Sequence, residues 1–171
     1  MMKKIVLLVL VVLGLNQSYA QEHDWGFGFY GDMNLQAPEF GERGRGTFGI
    51  QGKYDFALHH GVQALVHGQK DFVAVGADYI FNFLDRTANN WNVFAGAGAS
   101  SEWDRILSYD ANDARIEDFH QRTTLNAQAG ISYYVPDVAL SVYVGYKAKT
   151  EVNFKDDRPH FVMAGLRYHI W

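Results

Sequence analysis

Apolar residues recur at every second position through most of this chain, in eight successive segments that predict eight strands. The first sets Trp25, Phe27, Phe29, Gly31, Met33 and Leu35 against Asp24, Gly26, Gly28, Tyr30, Asp32 and Asn34. The second sets Phe48, Ile50, Tyr54, Phe56 and Leu58 against Thr47, Gln51, Lys53 and Asp55, and a short third sets Val62, Ala64 and Val66 against Gln63, Leu65 and His67. In the fourth, Val73, Val75, Ala77, Tyr79, Phe81 and Phe83 alternate with Ala74, Gly76, Asp78, Ile80 and Asn82. The fifth runs from Trp91 to Trp103 with Asn92, Phe94, Ser100, Glu102 and Asp104 in the other phase. The sixth places Leu125, Ala127, Ala129, Ile131, Tyr133 and Val135 opposite Asn126, Gln128, Ser132 and Tyr134. The seventh places Leu140, Val142, Val144, Tyr146 and Ala148 opposite Ser141, Tyr143, Lys147 and Lys149. The eighth alternates Val162, Ala164, Leu166, Tyr168 and Ile170 with Met163, Gly165, Arg167 and His169, and Trp171 follows in the other phase.

Successive side chains of a strand point to opposite faces, so each segment has one apolar and one polar face. No apolar-phase position carries a charge, although Asp, Glu, Lys and Arg make up 20 % of the chain. The connections alternate in length. His59-His60, Leu84 to Asn90 and Pro136-Asp137 would turn at one end, and Gln36 to Arg45, Gln69 to Asp71, Arg105 to Arg122 and Asn153 to His160 at the other. Strands of ~10 to 11 residues, rising ~3.3 Å each and tilted by ~45°, span an apolar belt of roughly 25 Å.

Composition agrees with many strands and tight turns, with 17 Gly, 3 Pro and 15 % aromatic residues. Lys3 and Lys4 precede an eleven-residue apolar run, Ile5 to Leu15, and Ser18-Tyr19-Ala20 offers small residues for cleavage. That run is short of the roughly 20 residues that a spanning helix needs, so residues 1–20 are read as a cleaved export signal and 21–171 as one domain. Removing Lys3 and Lys4 from 15 basic residues leaves 13 against 19 acidic ones, a net charge of −6 that disfavours nucleic acid as a partner. The chain has no cysteine, so disulfides cannot stabilise it after export.

Alternation alone does not say which face looks inward, and a soluble barrel would put the apolar one inside. Two features point to lipid on the apolar side. Aromatic residues of that phase, including Trp25, Tyr54, Phe83, Trp91, Tyr133 and Tyr168, gather at one strand end, with Trp103 at the other, as in interfacial girdles. The polar face carries nine glycines, at 26, 28, 49, 76, 96, 98, 130, 145 and 165, beside bulky rings, which suits a confined interior better than a watered outer wall.

In strand number, pattern and aromatic-rich C-terminal segment, residues 21–171 resemble the small eight-stranded outer-membrane barrels, the group of OmpX, the OmpA membrane domain and porin-like β-barrels. The resemblance implies an all-β, eight-stranded antiparallel up-and-down transmembrane barrel in the outer membrane of a Gram-negative bacterium. It also implies outer-membrane lipid and lipopolysaccharide, the barrel assembly machinery and an extracellular protein as partners.

The lumen charges Asp32, Asp55, Asp78, Glu102 and Asp104 face Lys53, Lys147, Lys149 and Arg167, and unpaired charge in a filled interior is costly. By height, Lys53 and Arg167 are expected with Asp55 and Asp78, and Lys147 and Lys149 with Asp32, Glu102 and Asp104. A narrow channel is the alternative, favoured if the glycines leave space. A lipid A-modifying enzyme is the second. The residues two beyond each histidine are Trp25, Gly61, Val62, Gln69, Arg122, Val162 and Trp171, so the His-x-Ser spacing that places base and nucleophile on one strand face is absent. No catalytic residue, metal site or cofactor is therefore expected. The third long connection carries Ile106, Leu107, Tyr109, Arg115, Ile116 and Phe119, apolar residues among charges that either pack on the barrel rim or meet a partner.

Overall fold

The computed structural model describes residues 24–35, 46–85, 88–109, 115–152 and 159–170. Eight strands follow in chain order: β1 (Asp24–Asn34), β2 (Gly46–Ala57), β3 (His60–Gln69), β4 (Phe72–Asn82), β5 (Trp91–Tyr109), β6 (Arg115–Val135), β7 (Leu140–Glu151) and β8 (His160–Ile170). Each is antiparallel to the next, and β1 pairs with β8 from Trp25↔Ile170 to Asn34↔Phe161, which closes the barrel. Closure satisfies every strand edge within the wall, the condition a sheet must meet where no water can reach its backbone. The expected signal segment, the connections 36–45 and 153–158, and Trp171 lie outside the described residues.

We call the end where β1 begins proximal and the other distal. Two of the three proximal connections are tight turns, and the β4–β5 connection is eight residues, 83–90. Pro136–Val138 forms a single 3-10 turn, and Ala139 beyond it adopts φ 50°, ψ 39°, donating its N–H to the Pro136 carbonyl at 3.1 Å. The wall alternates strictly between exposed and buried positions, as in β3, where Val62, Ala64 and Val66 face out and Gln63, Leu65 and His67 face in. Large apolar side chains of the outer phase are about half exposed on every strand, among them Phe29, Ile50, Val75, Val93, Leu125, Val144 and Leu166. The buried positions instead include most of the charged residues of the wall. This inverts the distribution of a water-soluble barrel.

The inner face is shaped by size matching between neighbouring strands. Tyr30 lies opposite Gly49 and Gly165, Leu65 opposite Gly76, Ile80 opposite Gly96, Phe94 opposite Gly130, and Met163 opposite Gly145. These bulky residues, with Tyr143, form the one apolar cluster among the described lumen residues. A Cβ on Gly130 would stand 2.7 Å from Phe94 Cζ, and one on Gly165 would stand 2.5 Å from the Tyr143 hydroxyl. Several lumen glycines thus stand against bulky side chains of the neighbouring strands, and others against neighbouring backbone.

The expected long connection from Arg105 to Arg122 is corrected by the structure. Its arms are strand: the β5–β6 ladder continues beyond Trp103↔Gln121 through Asp104↔His120 to Tyr109↔Arg115. These six further pairs make a two-stranded ribbon about 20 Å long. Both faces of such a ribbon can meet water, so the period-two signature that marks a strand against lipid is lost there. Backbone pairing needs no such signature.

Candidate functional site

The lumen is the best-defined polar site of the molecule. At its distal end Glu102 accepts Lys149 Nζ at 2.8 Å and Arg122 Nε at 2.8 Å, and Arg122 also reaches Asp104 at 3.3 Å. Lys149 Nζ lies 4.8 Å from the centroid of the Phe161 ring. Just below, Asp32 accepts hydrogen bonds from the Tyr30 hydroxyl at 2.7 Å and the Thr47 hydroxyl at 2.6 Å, with His67 Nδ1 at 3.9 Å.

At mid-height Lys147 and Asp78, each 1 % exposed, are 3.2 Å apart. Asp78 also accepts from Asn126 at 3.2 Å and Gln128 at 3.3 Å, which stabilises the carboxylate against the cost of its burial. Across the lumen, Arg167 donates to Gln51 Oε1 at 3.0 Å and Gln63 Oε1 at 2.8 Å, and its guanidinium carbon lies 4.1 Å from the Tyr143 ring centroid. Towards the proximal end Lys53 meets Asp55 at 3.0 Å, and Asn82 donates to Asp55 at 3.4 Å. Last, His169 bridges Asp24 and Ser141.

Of the nine charged positions expected in the lumen, Asp32, Lys53, Asp55, Asp78, Glu102, Lys147, Lys149 and Arg167 are buried, and the Asp104 side chain is 31 % exposed at the distal rim. Three partnerships differ from the height estimate. Lys147 reaches down to Asp78, Arg167 is held by two glutamine amides and a ring, and Asp32 is held by hydroxyls. The cause is the diagonal reach of long side chains across a curved wall, which strand position alone does not encode. Arg122, placed by sequence in a connection, is a lumen-rim residue that holds Glu102 and Asp104 together. Its only sequence signal was its place one residue before Thr123-Thr124.

On the outer face, Trp25, Tyr54, Phe83, Trp91, Tyr133 and Tyr168 all sit at the proximal end. Trp25 stacks on Tyr54 with ring centroids 4.4 Å apart, and Trp91 lies 4.7 Å from Tyr133. Trp103 is at the distal end. Ile106, Leu107, Tyr109, Arg115 and Ile116 contribute backbone to the ribbon, their side chains lying outside the description, and Phe119 is 69 % exposed. Arg105, opposite Phe119, anchors the ribbon base through a 2.7 Å ion pair with Asp71 in the β3–β4 turn.

These features define a class: a closed, eight-stranded, antiparallel up-and-down barrel with polar side chains lining its lumen. Solved structures share the fold. The chain superposes on the N-terminal β-barrel domain of Pseudomonas aeruginosa OprF with a TM-score of 0.67 at 12 % identity, covering 87 % of this chain and 98 % of that one. It also superposes on Ail, the attachment invasion locus protein of Yersinia pestis. The TM-score is 0.53 at 16 % identity, over 88 % of this chain and all of the other. For Ail in complex with the heparin analogue sucrose octasulfate it is 0.55 at 14 % identity. Comparison of the sequence with protein-family models and with curated proteins finds no match.

The buried Lys147–Asp78 pair carries a clear expectation. Lys147→Met strands a buried carboxylate and should cost about 3–5 kcal/mol, whereas adding Asp78→Leu should recover at least half of that loss. Urea midpoints of the refolded barrel, followed by tryptophan fluorescence, check both outcomes.

Proposed function

We propose that this chain is an outer-membrane barrel with an occluded lumen, which serves the envelope or its surface contacts through its distal end. The observation that carries the reading is the division of the wall. Charges are paired inside, and the outer belt is apolar, with aromatic rings at both ends. An apolar surface encircling the whole molecule far exceeds the patches that a soluble monomer exposes, and a bilayer is the solvent that stabilises it. No helix among the described residues is long and apolar enough to cross a membrane; in this reading the strands are the spanning elements.

Occlusion is supported by the rings seated on glycines at mid-height and by the direct Lys147–Asp78 contact. A surface role is supported by the β5–β6 ribbon, which continues past the apolar belt and is braced by Arg105 on Asp71. Ail was crystallised with a polyanion. Here the ribbon mixes Arg105 and Arg115 with Asp104, Glu117 and Asp118, a pattern that fits a protein surface better than a polyanion.

Three measurements test these readings. Ala77, on the outer face between Ala64 and Ala99, stands near the middle of the belt, so Ala77→Arg should cost about 2–4 kcal/mol when the protein folds into phospholipid vesicles. An unchanged urea midpoint there would count against lipid on that face. In planar bilayers the purified protein should give no conductance steps, and resolved steps would establish the channel instead. Deleting residues 108–117 should leave heat-modifiable migration of the barrel intact while abolishing adhesion of displaying cells to a panel of immobilised extracellular proteins. Equal adhesion with and without the ribbon would sink the surface role.

A further inference from the structure

Strand pairing at the proximal mouth assembles three residues that lie far apart in the chain. Ser141 on β7, His169 on β8 and Asp24 on β1 are consecutive around the wall, all on its inner face and all buried. Ser141 Oγ is 2.8 Å from His169 Nε2, and His169 Nδ1 is 2.6 Å from Asp24 Oδ2. The two ring nitrogens thus divide their partners as a general base requires: Nδ1–H is held by a carboxylate, so Nε2 is left to take the serine proton. The edge of the Tyr134 ring, with centroids 5.2 Å apart, confines the imidazole to this orientation.

Looser packing beside the relay is the second observation. A Cβ at most lumen glycines would collide with a neighbour at 3.0 Å or less, but at Gly26, opposite His169, it would make only ordinary contact, with Arg167 Cβ and Cδ at 3.5 Å and His169 Cε1 at 3.6 Å. The Arg167 guanidinium is turned away to Gln51, Gln63 and the Tyr143 ring.

We propose that Ser141 is an activated nucleophile, with His169 as its base and Asp24 as the group that orients the base, in a site for small carboxylic esters entering from the proximal mouth. Ser141 Oγ attacks the ester carbonyl carbon while its proton passes to His169 Nε2. The carbon–oxygen bond to the alcohol then breaks, and the alcohol leaves with that proton. Water attacks the acyl-serine with the same base accepting a proton, which returns to Ser141 as the carboxylic acid departs. The substrate is a small soluble ester and not a bilayer acyl chain, because Ser141 faces the lumen while its neighbours Leu140 and Val142 face outward.

The test uses the refolded full barrel in detergent micelles with a short-chain fluorophosphonate, which traps serines that have a working base. Intact mass and peptide mapping should find one adduct, on Ser141. His169→Gln should slow labelling on the order of 100-fold or more, Asp24→Asn should slow it as well, and Ser141→Ala should abolish it. The wild-type protein should hydrolyse p-nitrophenyl acetate above the micelle blank, and Ser141→Ala should not. Heat-modifiable migration confirms that each variant is folded. A folded wild-type barrel that takes no adduct, or takes it elsewhere, would overturn the proposal without touching the bilayer reading, which rests on vesicle folding.

Discussion

Everything in this molecule depends on the narrowness of a closed eight-stranded wall. Once β1 pairs with β8 the backbone is satisfied without water, but the inward side chains must then fit a fixed cross-section. Tyr30, Leu65, Ile80, Phe94 and Met163 fit because each stands opposite glycine on an adjacent strand. A side chain on those glycines would meet ring, thioether or backbone atoms at less than van der Waals distance. Large and absent side chains are therefore paired across strands, and the pairing sets how the lumen is packed.

The same confinement governs charge. The outer phase carries no ionised group, and the charges are gathered within, where several are stabilised by more than one neighbour. Asp78 has Lys147, Asn126 and Gln128, and Glu102 has Lys149, Arg122 and Thr124. Lysine serves where a single ammonium meets a carboxylate. Arginine serves where a planar group must lie against Tyr143 and reach two amides at once, a geometry that an ammonium cannot reproduce.

The two ends then diverge. At the distal end the wall continues as the β5–β6 ribbon, free of the belt's demand for an apolar face and therefore able to vary its side chains. At the proximal end two of the three connections are tight turns, aromatic rings line the outer rim, and the inner rim holds His169 between a carboxylate and a hydroxyl. The proposed binding at one mouth and the proposed chemistry at the other are compatible, because the apolar cluster and the buried ion pairs lie between them.

By itself the amino-acid sequence determined the strand phases and their number, because an uncharged period-two pattern against 20 % charged residues is a local property of each segment, while the clustered aromatics and the glycines pointed the apolar phase outward. It identified most of the charged lumen residues for the same reason. It missed the ribbon, where backbone pairing needs no alternation, and it misassigned the partners of Arg167, Lys147 and Asp32. It also passed over Ser141 and His169, which are 28 residues apart, with Asp24 near the other end of the chain. Partnership across a barrel is set by register and diagonal reach between strands distant in sequence. Only closure of the wall brings β7, β8 and β1 side by side, so only the tertiary structure decided which ring fills which gap, which charge neutralises which, and which serine meets a histidine.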